Sequence, residues 1–212
     1  MNEVPNYLSN LRRGLIRSEA ILRPEKKNTA AVLVAMVLRG NALNIIYTRR
    51  SDRLSSHRGQ VAFPGGRFDR RDSNLVATAL RETHEEIGIA PHSIEVLGGF
   101  EGRETRSSEI FVAPFVGLVR EPFELRPDPK EVAEIFEVPL AALEDRRYRG
   151  HYNWSPDGAS RRFPAILYAG QTIWGLTYEL TLRFLEYSRR AARLSRQPKA
   201  LQAAGLAAIN SK

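Results

Sequence analysis

F-P-G-G-R-F-D-R-R-D-S-N-L-V-A-T-A-L-R-E-T-H-E-E-I-G-I, residues Phe63–Ile89, decides the fold of this chain. It reads as a tight glycine turn, an acidic loop and a helix that ends in carboxylates. Leu75, Val76, Ala79, Leu80, Thr83 and Ile87 recur at three- and four-residue steps, which predicts a helix over 74–88 with Gly88 as its stop. At roughly 100° per residue, Glu82 and Glu86 stack on the edge of that apolar stripe. Glu86 points where a core residue is expected, and a carboxylate there is costly to bury unless something positive compensates it. Glu85 crowds the same turn, and Arg81 reaches it at i+4. The remaining pair, Glu82 and Glu86, has the character of an oxygen-ligand site for a hard cation. A Glu-rich helix end is otherwise solvated surface; position on the apolar edge, beside a Pro-Gly-Gly turn, favours the metal reading.

This arrangement resembles the Nudix box, the signature of hydrolases that cleave nucleoside diphosphates linked to another moiety. The family pattern is a glycine, five residues, a glutamate, seven residues, then R-E-U-x-E-E-x-G-U, where U is a bulky aliphatic residue. Arg81, Glu82, Glu85, Glu86, Gly88 and Ile89 fall on it. Thr83 replaces the first aliphatic position, Asp72 takes the place of the earlier glutamate, and Gly66 to Arg81 is one residue longer than the pattern. The resemblance implies an α/β fold, the Nudix α/β/α sandwich with a mixed β-sheet. It also implies Mg²⁺ or Mn²⁺ on Glu82 and Glu86, with Glu85 adding a ligand or helping to activate water and Arg81 orienting the carboxylates.

Residues 46–66, I-Y-T-R-R-S-D-R-L-S-S-H-R-G-Q-V-A-F-P-G-G, run straight into the box. They resemble the extra motif of the coenzyme A pyrophosphatase branch, L-L-T-x-R-[SA], three residues, R, three residues, G, three residues, F-P-G-G. Thr48, Arg50, Ser51, Gly59, Phe63, Pro64, Gly65 and Gly66 match, while Ile46 and Tyr47 replace the leucines and Ser55 replaces the second arginine. The resemblance makes Arg50, Gly59, Phe63, Gly65 and Gly66 substrate-binding candidates. It implies cleavage of coenzyme A or a derivative to 3′,5′-ADP and (acyl-)4′-phosphopantetheine. ADP-ribose, a dinucleoside polyphosphate, a triphosphate or an RNA 5′ end is the competing substrate class. A non-catalytic nucleotide sensor is the competing reading outside enzymes, which the intact Glu82, Glu85 and Glu86 argue against.

Composition agrees with a single-domain enzyme. The 212 residues are 42% hydrophobic, enough to fill a core, and no apolar run approaches the roughly 20 residues of a membrane span. Zero cysteines exclude disulfides and thiol chemistry and suit a cytoplasmic setting; the amino terminus lacks the form of a secretory signal. A formal charge of +8 invites a nucleic-acid reading, but no aromatic-interleaved platform or known module accompanies it in the sequence. A cationic field that attracts multiply phosphorylated small molecules is preferred, with room left for a homodimer.

The coarse layout places strands near 30–38, 43–48, 60–63, 94–100, 110–119 and 163–168, and helices near 74–88, 139–146 and 172–195. The expected organisation is an extension over 1–28 with a short helix, a Nudix domain over 29–195 and a basic tail over 196–212. His84 reads as surface and His57 as a loop residue with a weak claim on a phosphate. Trp174 reads as core packing on the final helix, and Glu101 and Glu104 as weak candidates for an extra base.

Overall fold

The computed structural model describes residues 3–18, 28–105, 109–155 and 158–196. Strand β1 (Thr29–Arg39) is apolar from Ala30 to Leu38, the pattern of a strand covered on both faces. It runs parallel to β7 (Phe111–Val119) along one edge. Its other edge is shared: β2 (Ala42–Arg50) pairs antiparallel with residues 35–39, and β4 (Gly65–Arg67) pairs with residues 30–32. The two partners diverge in between, and the candidate site forms beside that gap. β3 (Val61–Ala62) and β8 (Val132–Pro139) pair with β2, while β5 (Ile94–Gly99) and β6 (Arg103–Glu104) pair with β7. Among the described residues eight strands thus make one mixed sheet.

Alternation along β1 divides the core in two. Ala31, Leu33, Ala35 and Val37 face α2 (Leu75–Ile87), whereas Ala30, Val34 and Met36 face α1 (Glu3–Gly14) and α4 (Gly175–Ser195). The result is the expected α/β/α sandwich. The amino-terminal helix is built into it: Tyr7, Leu11 and Leu15 are buried, and the Tyr7 hydroxyl donates to Ser188 Oγ on α4 at 3.0 Å. Among the described residues no helix is long and apolar enough to cross a membrane. The tail over 196–212 lies, apart from Arg196, outside the described residues.

A second sheet of three antiparallel strands, β9 (Arg149–Trp154), β10 (Arg161–Tyr168) and β11 (Gln171–Trp174), lies beside β3. β9 and β11 are absent from the sequence layout, and they correct the final helix, which begins at Gly175. The reason is the Ala169–Gly170 turn: both residues have positive φ, 48° and 80°, so the chain folds back and pairs Gln171–Trp174 with Ala165–Tyr168. Trp174 therefore stands at the end of a strand and outside both cores. The helix expected over 139–146 is α3 (Leu140–Glu144), followed by a 3₁₀ turn at Arg146–Tyr148.

Candidate metal and phosphate site

The helix that carries the acidic residues is set at both ends by local chemistry. Asn74 Oδ1 accepts from Ala77 N at 2.9 Å as the N-cap, and Gly88, at φ 80°, closes the helix with its N–H on the His84 carbonyl. Thr83 fits the apolar face because its hydroxyl is satisfied by the Ala79 carbonyl at 2.6 Å. Glu86 lies on the same face and is only 3% exposed.

The glycine turn is built around those carboxylates. Pro64 O accepts from Leu33 N at 2.9 Å, which pins the turn to β1, and Gly65 N donates to Glu86 Oε2 at 3.1 Å. A Cβ on Gly65 would stand 2.3 Å from the Ala31 carbonyl oxygen, so only glycine allows the strands to approach. A Cβ on Gly66 would meet the Glu82 carboxyl at 2.3 Å. The missing side chain is the space in which the Glu82 carboxyl sits.

Arg81 organises the remaining acids. Its Nε and Nη2 grip Asp72 at 2.8 and 3.0 Å, and its Nη1 reaches Glu82 Oε1 at 2.9 Å and Glu85 Oε2 at 2.8 Å. Asp72 is 5% exposed and also accepts from Thr78 Oγ1 at 2.8 Å and Asp69 N at 3.1 Å. It anchors the guanidinium. The Arg81 hydrogen bonds hold the Asp72 carboxyl below its ordinary range. Glu85 is 55% exposed and held only by Arg81 among the described residues.

Glu82 and Glu86 differ from Asp72 in that burial outweighs their cationic and hydrogen-bond partners. Burial raises the Glu82 carboxyl against the pull of Arg81, and pushes Glu86 up to about 8 against the lowering effects of the Gly65 N–H and Arg50. Arg50 stands off: its Nη1 is 3.8 Å from Glu86 Oε1, and its buried Nε has no hydrogen-bond partner. A register shift between Arg49 and Arg50, where β2 meets β8, accompanies this placement. Two desolvated carboxylates with incomplete cationic compensation fit a divalent cation with oxygen ligands. Among the described residues no three acidic or histidine side chains form a ready metal cluster. The fit is therefore to an open site, since Mg²⁺ is ordinarily held by one or two carboxylates plus substrate phosphate and water.

Of the substrate-binding candidates, Arg50, Gly65 and Gly66 meet here. Gly59 closes the β2–β3 loop, donating to the Arg50 carbonyl at 3.1 Å with φ 65°. Phe63 is 3% exposed and stacks on Tyr47 at 4.8 Å, so it supports the turn from the core side and offers no surface to a ligand. His84 and His57 are exposed, the latter paired with Gln60 at 3.0 Å. Glu101 is bound by Arg183 and Tyr187 on α4, at 3.2 and 2.8 Å.

Glu131, exposed on the loop before β8, is not singled out by the sequence, and its charge is felt at the box. Arg126 N and Asp128 N donate to the carbonyls of Ile87 and Glu86 at the end of α2, at 2.9 and 3.0 Å, and Ser51 N donates to Glu131 O at 2.8 Å. The loop before β8 thereby caps α2 and brings the Glu131 charge near Glu82 and Glu86, where it raises both. No spacing within the sequence links Glu131 to the box, because the link runs through backbone hydrogen bonds.

Residues 27–158 match the NUDIX domain family. The chain belongs to the Nudix family. The Nudix hydrolase NudL of Yersinia enterocolitica serotype O:8 / biotype 1B is 41% identical over 158 residues, covering 74% of this chain and 80% of that protein. NudL of Photorhabdus laumondii subsp. laumondii is 43% identical over 150 residues, covering 70% and 78%. Among solved structures, the Nudix hydrolase RenU of M. smegmatis has a TM-score of 0.52 at 19% identity, covering 82% of this chain and 93% of that one. A MutT/nudix family protein of Enterococcus faecalis has a TM-score of 0.51 at 21% identity, covering 86% and 69%. These two show likeness of fold. As a Nudix hydrolase the protein is a pyrophosphohydrolase of nucleoside diphosphate derivatives.

Proposed function

We propose that this Nudix hydrolase cleaves the pyrophosphate bond of coenzyme A or its derivatives, releasing 3′,5′-ADP and (acyl-)4′-phosphopantetheine. The observation that carries the reading is the meeting of two motifs. Arg50, from the segment similar to the coenzyme A branch, faces Glu86 of the box at 3.8 Å with a buried N–H unspent. An anionic diphosphate oxygen is the partner that geometry invites.

The roles follow from charge and exposure. Glu82 and Glu86 hold a divalent cation, Mg²⁺ or Mn²⁺. Such an ion would supply positive charge to the diphosphate and would lower the pKa of an attacking water. Glu85, exposed and tethered by Arg81, takes the proton from that water. Arg81 keeps Glu82 and Glu85 in place and is itself fixed by Asp72. Arg50 binds a phosphate oxygen, and Gly65 and Gly66 let the backbone and the Glu82 carboxyl approach it. Residues 29–195 form the catalytic unit in this reading.

Purified protein with Mg²⁺ or Mn²⁺, offered coenzyme A, ADP-ribose and a nucleoside triphosphate with products resolved by chromatography, tests this directly. Release of 3′,5′-ADP from coenzyme A in preference to the other cleavages is expected. Glu82→Gln and Glu86→Gln should each abolish turnover with the fold intact. Ser55, exposed where the branch motif has an arginine, supports the second reading, a Nudix hydrolase of another nucleoside diphosphate derivative such as ADP-ribose. Preferential turnover of ADP-ribose would displace the coenzyme A reading.

A further inference from the structure

Asp128 is the hub of the loop that leads into β8. Its N–H donates to the Glu86 carbonyl at 3.0 Å, and its own carbonyl accepts from Glu131 N at 3.0 Å and Val132 N at 2.8 Å. Its Oδ1 accepts from Lys130 N at 2.9 Å, an Asx turn that folds the chain back on itself. Pro127 and Pro129 stand on either side of it. Each locks its own φ and has no N–H to leave unpaired, so the turn has few alternative conformations.

The loop is fastened at two places. The last carbonyls of α2 have no partner within the helix, and Arg126 N and Asp128 N supply partners to those of Ile87 and Glu86. A Cβ on Gly88 would stand 3.0 Å from Arg126 Cβ and 3.2 Å from Arg126 N, so the loop lies directly against the glycine that ends the box helix. At the end of β2, Ser51 N donates to Glu131 O at 2.8 Å and Ser51 Oγ to Pro129 O at 3.4 Å. Glu86 is thus held through its backbone by one end of the loop, and the residue after Arg50 by the other. The side chains themselves stand 3.8 Å apart, too far for a hydrogen bond. Their separation is set by the backbone on either side and not by direct contact.

We infer that Asp128 is a positioning residue: its turn sets the separation of Glu86 and Arg50, so that both act on one diphosphate. The roles of Glu86 and Arg50 rest on the proposed function; the backbone link between them does not depend on which nucleotide is cleaved. A shift of about 1 Å between groups that act on one bond is enough to lower turnover by roughly a hundredfold. The side chain of Asp128 works through its oxygen acceptor and not through its charge, since its Oδ1 partner is the Lys130 N–H of the turn.

Gly65 N–H reports the position of the Glu86 carboxyl, because it donates to Glu86 Oε2. Leu33 N–H, which donates to Pro64 O, reports the same turn without touching Glu86. Amide hydrogen exchange is measured on the full chain free of metal and substrate, and turnover with Mg²⁺ on coenzyme A or, if that is inert, ADP-ribose. In Asp128→Ala the Gly65 amide exchanges about tenfold faster while the Leu33 amide keeps its wild-type rate. In the same variant kcat falls about tenfold or more, and KM moves by about threefold at most. Asp128→Asn retains the acceptor for Lys130 N and matches wild type in both assays. Asp128→Glu retains the charge, sets its carboxylate one methylene farther out and behaves as Asp128→Ala, so it replaces the alanine variant if that folds poorly. Unchanged exchange at Gly65, an equal acceleration at Leu33, or Asp128→Asn as impaired as Asp128→Ala overturns the positioning role. If wild type leaves both substrates intact, the substrate reading fails, and the two exchange rates still decide the role of Asp128.

Discussion

Replacing Glu86 by glutamine is expected to stabilise the metal-free protein at alkaline pH while destroying its activity. The carboxyl is 3% exposed, hydrogen-bonded by one backbone N–H, and 3.8 Å from its nearest cation. Burial lifts it from 4.5 to about 8, so the folded protein keeps a proton that the unfolded chain has already released. Stability therefore falls as pH rises from 4.5 to about 8, and the deficit is complete above that window. The lift corresponds to a ceiling of about 5 kcal/mol. Water entering the cleft lowers that ceiling, and about 2–3 kcal/mol is expected between wild type and Glu86→Gln at pH 8.5. Glutamine keeps an oxygen for the Gly65 N–H and carries no charge to desolvate. The assay is denaturant unfolding in chelator across pH 4.5–9. The two proteins converge at the acid end and separate progressively from pH 4.5 to about 8, with the variant more stable. Added Mn²⁺ then raises the wild-type stability and leaves the variant nearly unmoved. A stability gap independent of pH, or a wild type more stable at pH 8.5, would refute the argument that desolvation dominates at this residue.

The two glycines of the turn should separate function from folding. Gly66→Ala pushes the Glu82 carboxyl aside, and that flexible side chain can yield, so turnover falls about a hundredfold with melting temperature nearly unchanged. Gly65→Ala drives a Cβ into the Ala31 carbonyl and the Val32 backbone, which cannot yield, and unfolding measurements should show a loss of about 3 kcal/mol or more. Asp72→Asn weakens the bidentate grip on Arg81 and should lower stability by about 1–3 kcal/mol at neutral pH. Because the folded carboxyl lies below 3.8, that contribution is present above this pH and lost as pH falls through the folded value, so the variant and wild type converge in acid. Arg81→Lys cannot bridge Asp72, Glu82 and Glu85 with one ammonium, and turnover should fall about tenfold or more under saturating Mg²⁺.

Much of the site was legible because it is local. A helix period, a stop glycine and a Pro-Gly-Gly turn lie within Phe63–Ile89, and α2, its caps and the burial of Glu86 follow from them. The i+4 pairing of Arg81 with Glu85 is likewise a property of helix geometry, and it stands at 2.8 Å. The role of Asp72 was not legible, since a residue before the helix contacts Arg81 only after the loop folds back. Phe63 differs for a related reason: the motif places it beside the turn, and its ring packs into the core on Tyr47.

The sequence by itself determined the fold class, the box helix and the chemical type of the site, because periodicity and short-range spacing encode them. Tertiary structure alone decided which groups meet across long separations. Backbone hydrogen bonds from the 126–131 loop carry Glu131 to the end of α2, and the shift in the β2–β8 register accompanies the approach of Arg50 to Glu86. The aromatic face of the small sheet also arises only in three dimensions. Strand pairing brings Tyr152 opposite Phe163, and a turn with two positive φ values returns the chain so that Trp174 stands opposite Ala165. Sequence pattern records which face a residue shows; pairing between distant strands decides what that face meets.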